Sequence, residues 1–454
     1  MNLPNYFLTD LPPDATLGPG MLSEACQTLK RNRERYLANR STQSLVRVLS
    51  GLGESWLRQD YPFRVLALEQ GPAATGFSRA ILVAGLDTFF KTLTQDSINR
   101  LLEQDLGHVQ RLDQVTAAEA ERKDNRAAIA TAPEFIVHIA AGNLPTPTLS
   151  SMVLGLLARS AQFVKCARGA TLLPRLFAHS LYELEPKLGA CLELAEWRGG
   201  NADLEGVLFG EANCVTATGT DETLAAIRQR VPAKARFLGY GHRVSFAYIC
   251  GQAFAGGNTR KVVEQAGADV VAWDQQGCLS PHVVYVEEGG ALSAERFAEA
   301  LAEELERREA TEPRGTVPTE AAAAIASRRG FYEIRAAHSP DTRQWCSKNS
   351  TAWTVVFEAD PRFQLSCLNR FIYVKGVKDL TEALQSAESV REKVSTVGLA
   401  AAEGQAPDMA TALARWGARR VCPLGQMQNP PLAWRHDGRP ALADLVTWTD
   451  VELE

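Results

Sequence analysis

The residue best suited to covalent chemistry is a cysteine in a polar, glycine-containing stretch, Trp273–His282. The apolar runs Ala268–Ala272 and Val283–Val286 on either side predict two buried strands, with Cys278 on the tight loop between them. Gly277 permits backbone conformations there that side chains forbid. A thiolate on such a loop can act as a nucleophile, with its own backbone N–H facing the reacting oxygen. The alternative is that Cys278 is a small buried hydrophobic residue.

An asparagine follows a second apolar run, Phe135–Ile139, which also predicts a buried strand. The turn Gly142-Asn143-Leu144-Pro145 then leads into a predicted helix, 150–159. The Asn143 amide can donate a hydrogen bond to an oxyanion, alongside the backbone N–H of a nucleophilic cysteine. The alternative is that Asn143 caps the helix that follows.

Two cations mark the end of the next predicted strand, 163–166. Lys165 is expected to hold a ribose or phosphate, or else to extend to solvent. Arg168 follows three residues later, and the pair can hold the 2′-phosphate that distinguishes NADP from NAD. The alternative is that both are solvated loop charges.

Small residues occupy two further turns. The turn Thr218-Gly219-Thr220 precedes a predicted helix, 221–230, whose N-terminus suits a phosphate, although Thr220 is equally a good N-cap. The turn 239–243 lacks the dinucleotide fingerprint because Phe246 stands at its last glycine position. Gly239 and Gly241 are nevertheless candidate cofactor-binding positions.

Two histidines, His242 and His282, can titrate near neutrality and donate protons, although a structural role is the simpler alternative for each. We include His282 among the candidate catalytic residues, together with Cys278 and Asn143. The sequence has no cluster of Cys and His at metal-ligand spacing, so no metal site is predicted.

Composition restricts the class of protein. A hydrophobic content of 45% in 454 residues is enough for a large core in two or three domains. The net charge of -5, with scattered Lys and Arg, argues against a nucleic-acid or anionic-membrane surface. Nine irregularly spaced cysteines favour a reducing compartment, and neither a signal peptide nor a membrane-spanning run is recognised, so we expect a cytoplasmic protein.

Short apolar strands alternating with helices from residue 135 onward predict an α/β fold with a doubly wound parallel sheet. Ligands of such sheets bind beyond the carboxyl ends of the strands, where Asn143, Lys165 and Gly219 fall. We expect a helical N-terminal region, a cofactor domain, a second α/β domain with the cysteine, and a C-terminal segment returning to the cofactor domain. Their expected bounds are 1–115, 116–255, 256–415 and 416–454.

Taken together, these segments resemble the aldehyde dehydrogenase superfamily, and more closely its acyl-CoA reductase branch, the fatty-acid reductase component of bacterial luminescence systems. The resemblance runs from about residue 130 to the end, with the motifs in family order. They are Gly142-Asn143-Leu144-Pro145, Val164-Lys165, Thr218-Gly219-Thr220, Phe237-Leu238-Gly239-Tyr240-Gly241, Gln276-Gly277-Cys278, Ser395-Thr396-Val397-Gly398-Leu399, 423–428 and 430–438.

The resemblance implies a role for each of these residues. Cys278 would be the nucleophile that becomes acylated, and Asn143 the side-chain half of the oxyanion hole. Lys165 would bind the adenosine ribose, and the turn 218–220 would lie beside the pyrophosphate. The implied reaction is reduction of an acyl-CoA or acyl-protein thioester to a fatty aldehyde with NADPH (NADP).

One departure from the superfamily pattern is informative. Hydrolytic aldehyde dehydrogenases carry a glutamate that activates water in a Glu-Leu-Gly-Gly turn, and here Phe237 stands in its place. A phenyl ring cannot abstract a proton, so the acyl-enzyme is expected to resist hydrolysis. The superfamily glutamate that holds the nicotinamide ribose has no evident counterpart at 368–371, and that contact stays unassigned.

Two alternatives remain open from the residues. One is a CoA-acylating aldehyde dehydrogenase for short acyl chains. The other is a cysteine thioesterase or acyltransferase without a cofactor, which would have no use for Lys165, Arg168 or a doubly wound domain. A non-catalytic scaffold fits the Asn143 and Cys278 pair less well. Among relatives homo-oligomers are usual, and an acyl-activating partner protein is plausible.

Overall fold

Strands and helices alternate through most of the chain, in a computed structural model that describes residues 3–12 and 14–452. The outermost residues of the expected segments 1–115 and 416–454 lie outside the described residues. The strands are β1 Arg126–Thr131, β2 Phe135–Ile139, β3 Ala161–Cys166, β4 Leu192–Glu196, β5 Cys214–Thr218, β6 Arg236–Tyr240, β7 Val244–Ile249, β8 Pro281–Glu287, β9 Thr342–Cys346, β10 Thr354–Glu358, β11 Phe371–Val377, β12 Val394–Ala400, β13 Arg420–Pro423 and β14 Thr447–Glu452.

The helices vary from single turns to twenty residues. They are α1 Pro19–Tyr36, α2 Thr42–Leu57, α3 Pro62–Thr75, α4 Arg79–Phe90, α5 Gln95–Leu106, α6 Glu119–Lys123, α7 Thr146–Leu157, α8 Leu172–Leu184, α9 Pro186–Gly189, α10 Ala202–Glu211, α11 Asp221–Arg230, α12 Thr259–Val271, α13 Ala294–Thr311, α14 Thr319–His338, α15 Leu380–Ser386 and α16 Ala406–Trp416. No helix within 3–12 or 14–452 is long and apolar enough to cross a membrane.

The chain divides into two units. The first contains the residues up to Thr75, Leu86–Gly241 and the residues from Pro431 onward. Its central sheet has the strand order β4-β3-β2-β5-β6, and every pairing in it is parallel. Strands β1 and β14 form a separate antiparallel pair. The expectation of a doubly wound α/β fold is confirmed for this unit.

The second unit contains residues 76–85 and 242–430. Its sheet has the order β13-β12-β7-β8-β11-β10-β9, parallel except that β9 runs antiparallel to β10. Strand β7 pairs with β12 and β8, so it belongs to this sheet, although residues 244–249 fall within the expected cofactor domain, 116–255, and no strand was predicted there. All six residues of β7 are buried, and that burial assigns it to the interior of the second sheet.

The prediction of a strand at 268–272 is wrong. That segment is the last turn of α12, which continues into a 3-10 turn, 272–275. The buried residues of α12 include Val262, Val263, Ala266 and Val270, a helical spacing that a five-residue window misses. Cys278 therefore follows a helix rather than a strand, and only the strand after it was predicted correctly.

Within the expected helical N-terminal region, residues 79–106 form two helices, α4 and α5. Thr94 ends the connection between them by capping α5, and its hydroxyl accepts the Ser97 N–H at 3.1 Å. The edge strands β1, β9 and β14 were not predicted. In β14 nearly every residue is exposed, so no apolar alternation marks it in the sequence.

We expect Gly315→Ala to destabilise the second unit strongly. An added Cβ would lie 2.7 Å from the Phe77 Cα and closer still to the Gly76 carbonyl oxygen, and backbone atoms cannot move aside cheaply. The loss should be about 3 kcal/mol, seen as a lower midpoint in urea unfolding. Gly330→Ala in α14, where an added Cβ meets nothing within 4 Å, is the matched control. An equal effect of the two substitutions would contradict the prediction.

Candidate active site

The candidate nucleophile lies on a turn at the amino end of β8. The Ser280 N–H donates to the Gly277 carbonyl at 2.9 Å, which closes a four-residue turn around Cys278. The Cys278 side chain is half-buried and in no disulfide. It is therefore more accessible than a core cysteine, and the alternative of a small buried hydrophobic residue fits it less well.

A buried serine fixes the backbone at the cysteine itself. The Ser245 hydroxyl donates to the Cys278 carbonyl at 2.7 Å and accepts the Thr396 N–H at 3.1 Å. Ser245 is fully buried at the start of β7. One hydroxyl thus connects the cysteine turn to the amino ends of two neighbouring strands, β7 and β12.

Two glutamines hold the ends of the loop. The fully buried Gln275 amide donates to the carbonyls of Pro281 at 2.8 Å and Phe371 at 2.9 Å, and accepts the Phe371 N–H at 2.8 Å. It thereby pairs with β8 and β11 as a strand residue would. At the other end, the Gln428 amide donates to the Ser280 hydroxyl.

The left-handed backbone of this loop does not depend on glycine alone. Trp273, Asp274 and Gln275 have φ values of 52°, 49° and 63°. Residues that carry a side chain rarely adopt left-handed φ values, because their Cβ then approaches the carbonyl oxygen. Three such residues in succession therefore require strong contacts with other parts of the chain. From the sequence alone, the unusual backbone was expected at Gly277.

The second candidate catalytic residue of this unit, His282, is buried in β8. The Ser366 N–H donates to its Nδ1 at 3.1 Å, so the ring proton lies on Nε2. Burial, with a smaller contribution from His242, lowers the pKa of His282 to about 4. The ring is therefore neutral at pH 7, which argues against the expectation that His282 titrates near neutrality.

Asn143 lies in the first unit, exposed on the bend between β2 and α7. Pro145 occupies the N-cap position of α7, and Asn143 lies two residues before it. The bend passes close to the loop after β3, since an added Cβ on Gly142 would lie 3.1 Å from the Ala167 Cβ. Asn143 is thus placed at the carboxyl ends of β2 and β3.

Lys165 is buried near the end of β3, with its Nζ 5.8 Å from the centre of the Trp197 ring. Burial lowers the pKa of Lys165, and the carboxylates of Glu205 and Glu196 oppose that change. The amine also lies beside the loop after β4, because an added Cβ on Gly199 would be 4.0 Å from it. The alternative of a solvated lysine does not hold.

Arg168 is exposed on the turn after β3, as the alternative of a solvated charge requires. The neighbouring Gly169 N–H donates to the Glu196 carboxylate at 3.0 Å. A carboxylate at the end of β4 therefore lies next to the cationic turn. Sequence reasoning missed Glu196, although an acidic residue that ends a buried strand was a signal available in the sequence.

The glycine-rich turns of the first unit lie at the same edge of its sheet. Thr220 caps α11, and its hydroxyl accepts the Thr223 N–H at 3.3 Å, so its capping role is confirmed. The Gly219 N–H donates to the Tyr240 carbonyl at 3.2 Å, which connects the ends of β5 and β6. Thr218 ends β5, Gly239 lies in β6, and Gly241 follows β6.

Phe237, which replaces the superfamily glutamate, is half-buried in β6. The Arg228 guanidinium lies 5.5 Å from its ring centre, and an added Cβ on Gly239 would approach its Cε1 to 3.0 Å. The ring packs against its own unit, in a cluster around Phe135 and Val215. The side chain at this position supplies packing and no base.

The predicted residues divide between the units. Asn143, Lys165, Arg168 and the turns 218–220 and 239–241 follow parallel strands of the first unit and share its carboxyl edge. Cys278 and His282 belong to the second unit, at the amino ends of its strands. In the described parts of both units, no group of three or more His, Cys, Asp or Glu side chains could hold a metal ion.

Comparison with known proteins identifies the family of the chain. Residues 37–448 match the model of the family described as Acyl-CoA reductase (LuxC). No curated protein sequence matches the chain.

Solved structures with the same fold are aldehyde dehydrogenases and related enzymes. A protein from Anabaena variabilis assigned as aldehyde dehydrogenase PutA has a TM-score of 0.70 at 14% identity, over 97% of this chain and 94% of its own. NADP-dependent glyceraldehyde-3-phosphate dehydrogenase from Bacillus halodurans, complexed with NADP, has a TM-score of 0.72 at 12% identity, over 97% and 92%. A bifunctional proline utilization A protein has a TM-score of 0.71 at 16% identity, over 97% of this chain and 45% of its own.

We expect His282→Asn to flatten the pH dependence of stability in acid. Below its ordinary pKa of 6.5 the unfolded histidine binds a proton that the folded one, with a pKa of about 4, does not. The free energy of unfolding therefore decreases as the pH falls from 6.5 toward 4. Between about pH 7 and about pH 5 the loss should be about 2 kcal/mol. Urea unfolding at both pH values should show that His282→Asn loses less stability between them than the wild-type protein does.

The matched control is Phe363→Leu, which changes a ring 6.2 Å from His282 without removing the titrating group. It should lower stability at both pH values and keep the wild-type pH dependence. An unchanged pH dependence in His282→Asn would contradict the assignment of a neutral, buried His282.

Proposed function

The chain belongs to the acyl-CoA reductase (LuxC) family, an oxidoreductase family of acyl and aldehyde groups, and we propose that it reduces an acyl-CoA or acyl-protein thioester to a fatty aldehyde with NADPH. The proposed reaction passes through a thioester on Cys278. The observation that carries the proposal is the half-buried Cys278 on a hydrogen-bonded turn, in a chain with an aldehyde dehydrogenase fold.

The first step is acyl transfer to the protein. The Cys278 thiolate attacks the thioester carbonyl carbon, so a new C–S bond forms and the carbonyl oxygen becomes an oxyanion. The Cys278 N–H and the Asn143 amide are the proposed donors to that oxygen, each worth about 3–4 kcal/mol in comparable sites. Collapse of the tetrahedral intermediate breaks the original C–S bond, and the CoA or carrier thiolate leaves and takes up a proton.

The second step is reduction, for which NADPH supplies a hydride when bound. Cys278 leaves as a thiolate when the aldehyde forms, and this regenerates the nucleophile. A thiolate is a good leaving group because its negative charge is stable near neutral pH, which also makes the acyl-enzyme reactive. Phe237 stands where the resemblance places the base that activates water, and a phenyl ring cannot take up a proton, so we expect the acyl-enzyme to resist hydrolysis.

Residues of the first unit are the proposed cofactor ligands. Lys165 would hold ribose hydroxyls with Glu196, and Arg168 would hold the 2′-phosphate of NADP. The turns 218–220 and 239–241 would lie beside the pyrophosphate. The fit rests on Lys165, whose buried amine lies near Trp197 and Gly199 at the carboxyl edge of a parallel sheet, where dinucleotides bind such folds.

We also propose an acyl donor, an oligomeric state and a cellular location for the enzyme. The acyl donor is a CoA, carrier-protein or acyl-protein thioester, and an acyl-activating protein would supply the last of these. We expect a homo-oligomer, and a cytoplasmic location suits nine cysteines outside disulfides.

Cys278→Ala should abolish reduction. With purified protein, a long-chain acyl-CoA and NADPH, the rate of NADPH oxidation should fall by about 10³-fold or more because the acyl group has no acceptor. Aldehyde release should fall in parallel. Radiolabelled acyl-CoA without NADPH should label the wild-type protein and leave Cys278→Ala unlabelled.

Cys422→Ala is the control, since Cys422 is buried in β13 away from the turn. An undiminished rate in Cys278→Ala would end the proposal. Release of free acid without NADPH oxidation would instead indicate a thioesterase, and a preference for acetyl-CoA would indicate the short-chain CoA-acylating alternative.

Arg168→Ala should weaken NADPH binding selectively. Loss of one exposed cation beside the 2′-phosphate should raise KM for NADPH about tenfold, with little change for NADH and in kcat. Steady-state kinetics with both cofactors measure this. Arg198→Ala, another exposed arginine of the first unit, is the control. Equal effects on NADPH and NADH would contradict the phosphate contact.

A further inference from the structure

We propose that Asp274 and Arg370 are positioning residues for Cys278, because their buried ion pair joins two left-handed turns and so fixes the loop that carries the thiol. The first turn, residues 273–275, leads into the cysteine turn. The second, residues 368–370, precedes β11. This inference rests on the proposed function, in which Cys278 is the nucleophile.

The two turns share an unusual backbone. Leu368, Asn369 and Arg370 have φ values of 63°, 56° and 66°, and so match the left-handed run of residues 273–275. A lone left-handed run of three residues with side chains would relax toward ordinary backbone conformations. Each run persists here because it is held against the other.

The ion pair makes that connection at the centre. The Asp274 Oδ1 accepts a hydrogen bond from the Arg370 Nε at 2.9 Å, and the Arg370 Nη2 lies 2.7 Å from the same oxygen. The side chains are 2% and 0% exposed, so water does not weaken the attraction. The second oxygen of Asp274 accepts the Gly315 N–H at 3.1 Å.

Two further charges balance the pair. Glu309 lies 2.9 Å from the Arg370 Nη1 and accepts the backbone N–H of Arg314 at 3.1 Å. The Arg314 guanidinium is bound to Thr351 and interacts electrostatically with Asp274 and Glu309. Two arginines thus face two carboxylates. Burial raises the pKa of Asp274, and the Arg370 guanidinium opposes that rise. Removal of one partner would leave a buried charge uncompensated.

The position of the pair connects it to the thiol. Asp274 is four residues before Cys278, and the next residue, Gln275, bonds to both Pro281 and Phe371. The loop of Arg370 also reaches the other side of the cysteine turn, where the Ser366 N–H donates to His282. The four residues from Gln276 to Leu279 are therefore held from both sides by contacts that depend on the pair.

The test compares Asp274→Asn with a matched buried ion pair of the same unit. Glu358 and Lys375 lie 3.2 Å apart with exposures of 2% and 0%, so Glu358→Gln makes the same kind of change away from the loop. For each protein, kcat and KM are measured with acyl-CoA and NADPH. The alkylation rate of Cys278 by iodoacetamide is followed across pH by peptide mass spectrometry.

Asp274→Asn should lower kcat about 10- to 100-fold, as expected when a reacting group is misplaced by about 1 Å. KM for NADPH should stay within about twofold, and the alkylation pH profile of Cys278 should shift. Glu358→Gln should change stability without these effects. Arg370→Lys should retain more activity than Arg370→Met because it keeps the charge, and this comparison replaces the first if Asp274→Asn does not fold.

Equal losses of kcat in Asp274→Asn and Glu358→Gln would overturn the inference, as would an alkylation profile that no variant of the pair changes. If the wild-type protein reduces no acyl-CoA, the proposed function fails. The alkylation profiles then still decide whether the pair positions Cys278.

Discussion

Polar backbone groups of the cysteine loop lie against the amino ends of buried strands, and buried N–H and C=O groups must find partners within the protein. The side chains of Ser245 and Gln275 supply those partners, and Asp269 does the same for the segment 425–427. Asp269 shows the rule clearly, since its carboxylate accepts the N–H groups of Gly425 at 2.6 Å and Met427 at 2.9 Å. Because each of these side chains is itself buried, the cysteine loop has little freedom to move independently of the sheet.

Buried charge occurs in two arrangements, of which local pairing is found in both units, as with Arg111 and Glu121 of the first. In the second unit, buried charges are neutralised locally, as in the pairs Asp274 with Arg370 and Glu358 with Lys375. In the first unit, Lys165 lies near Glu196 and Glu205 at the open edge of the sheet, with its Nζ over the Trp197 ring. The first arrangement fixes geometry, whereas the second places a buried cation at the carboxyl edge of the sheet, where the proposed function puts a ligand with hydroxyl or phosphate groups.

Much of this organisation was accessible from the sequence. The first parallel sheet was largely predicted because its strands are short and apolar, and β2 to β5 are each followed by a helix. The residues after those strands were identified for the same reason, since parallel strands bring their carboxyl ends to one edge. The helix before Cys278 was missed because five apolar residues in a row carry no period that separates a strand from a helix.

By itself, the sequence determined the α/β class, the family resemblance, the candidate nucleophile and the set of residues at the carboxyl edge of the first sheet. These follow from local pattern and from motif order. Only the tertiary structure decided that His282 is neutral, that Lys165 is buried beside Trp197, and that Asp274 pairs with Arg370. Burial and pairing across 96 positions of sequence arise when distant segments pack together, and neither residue type nor spacing encodes them.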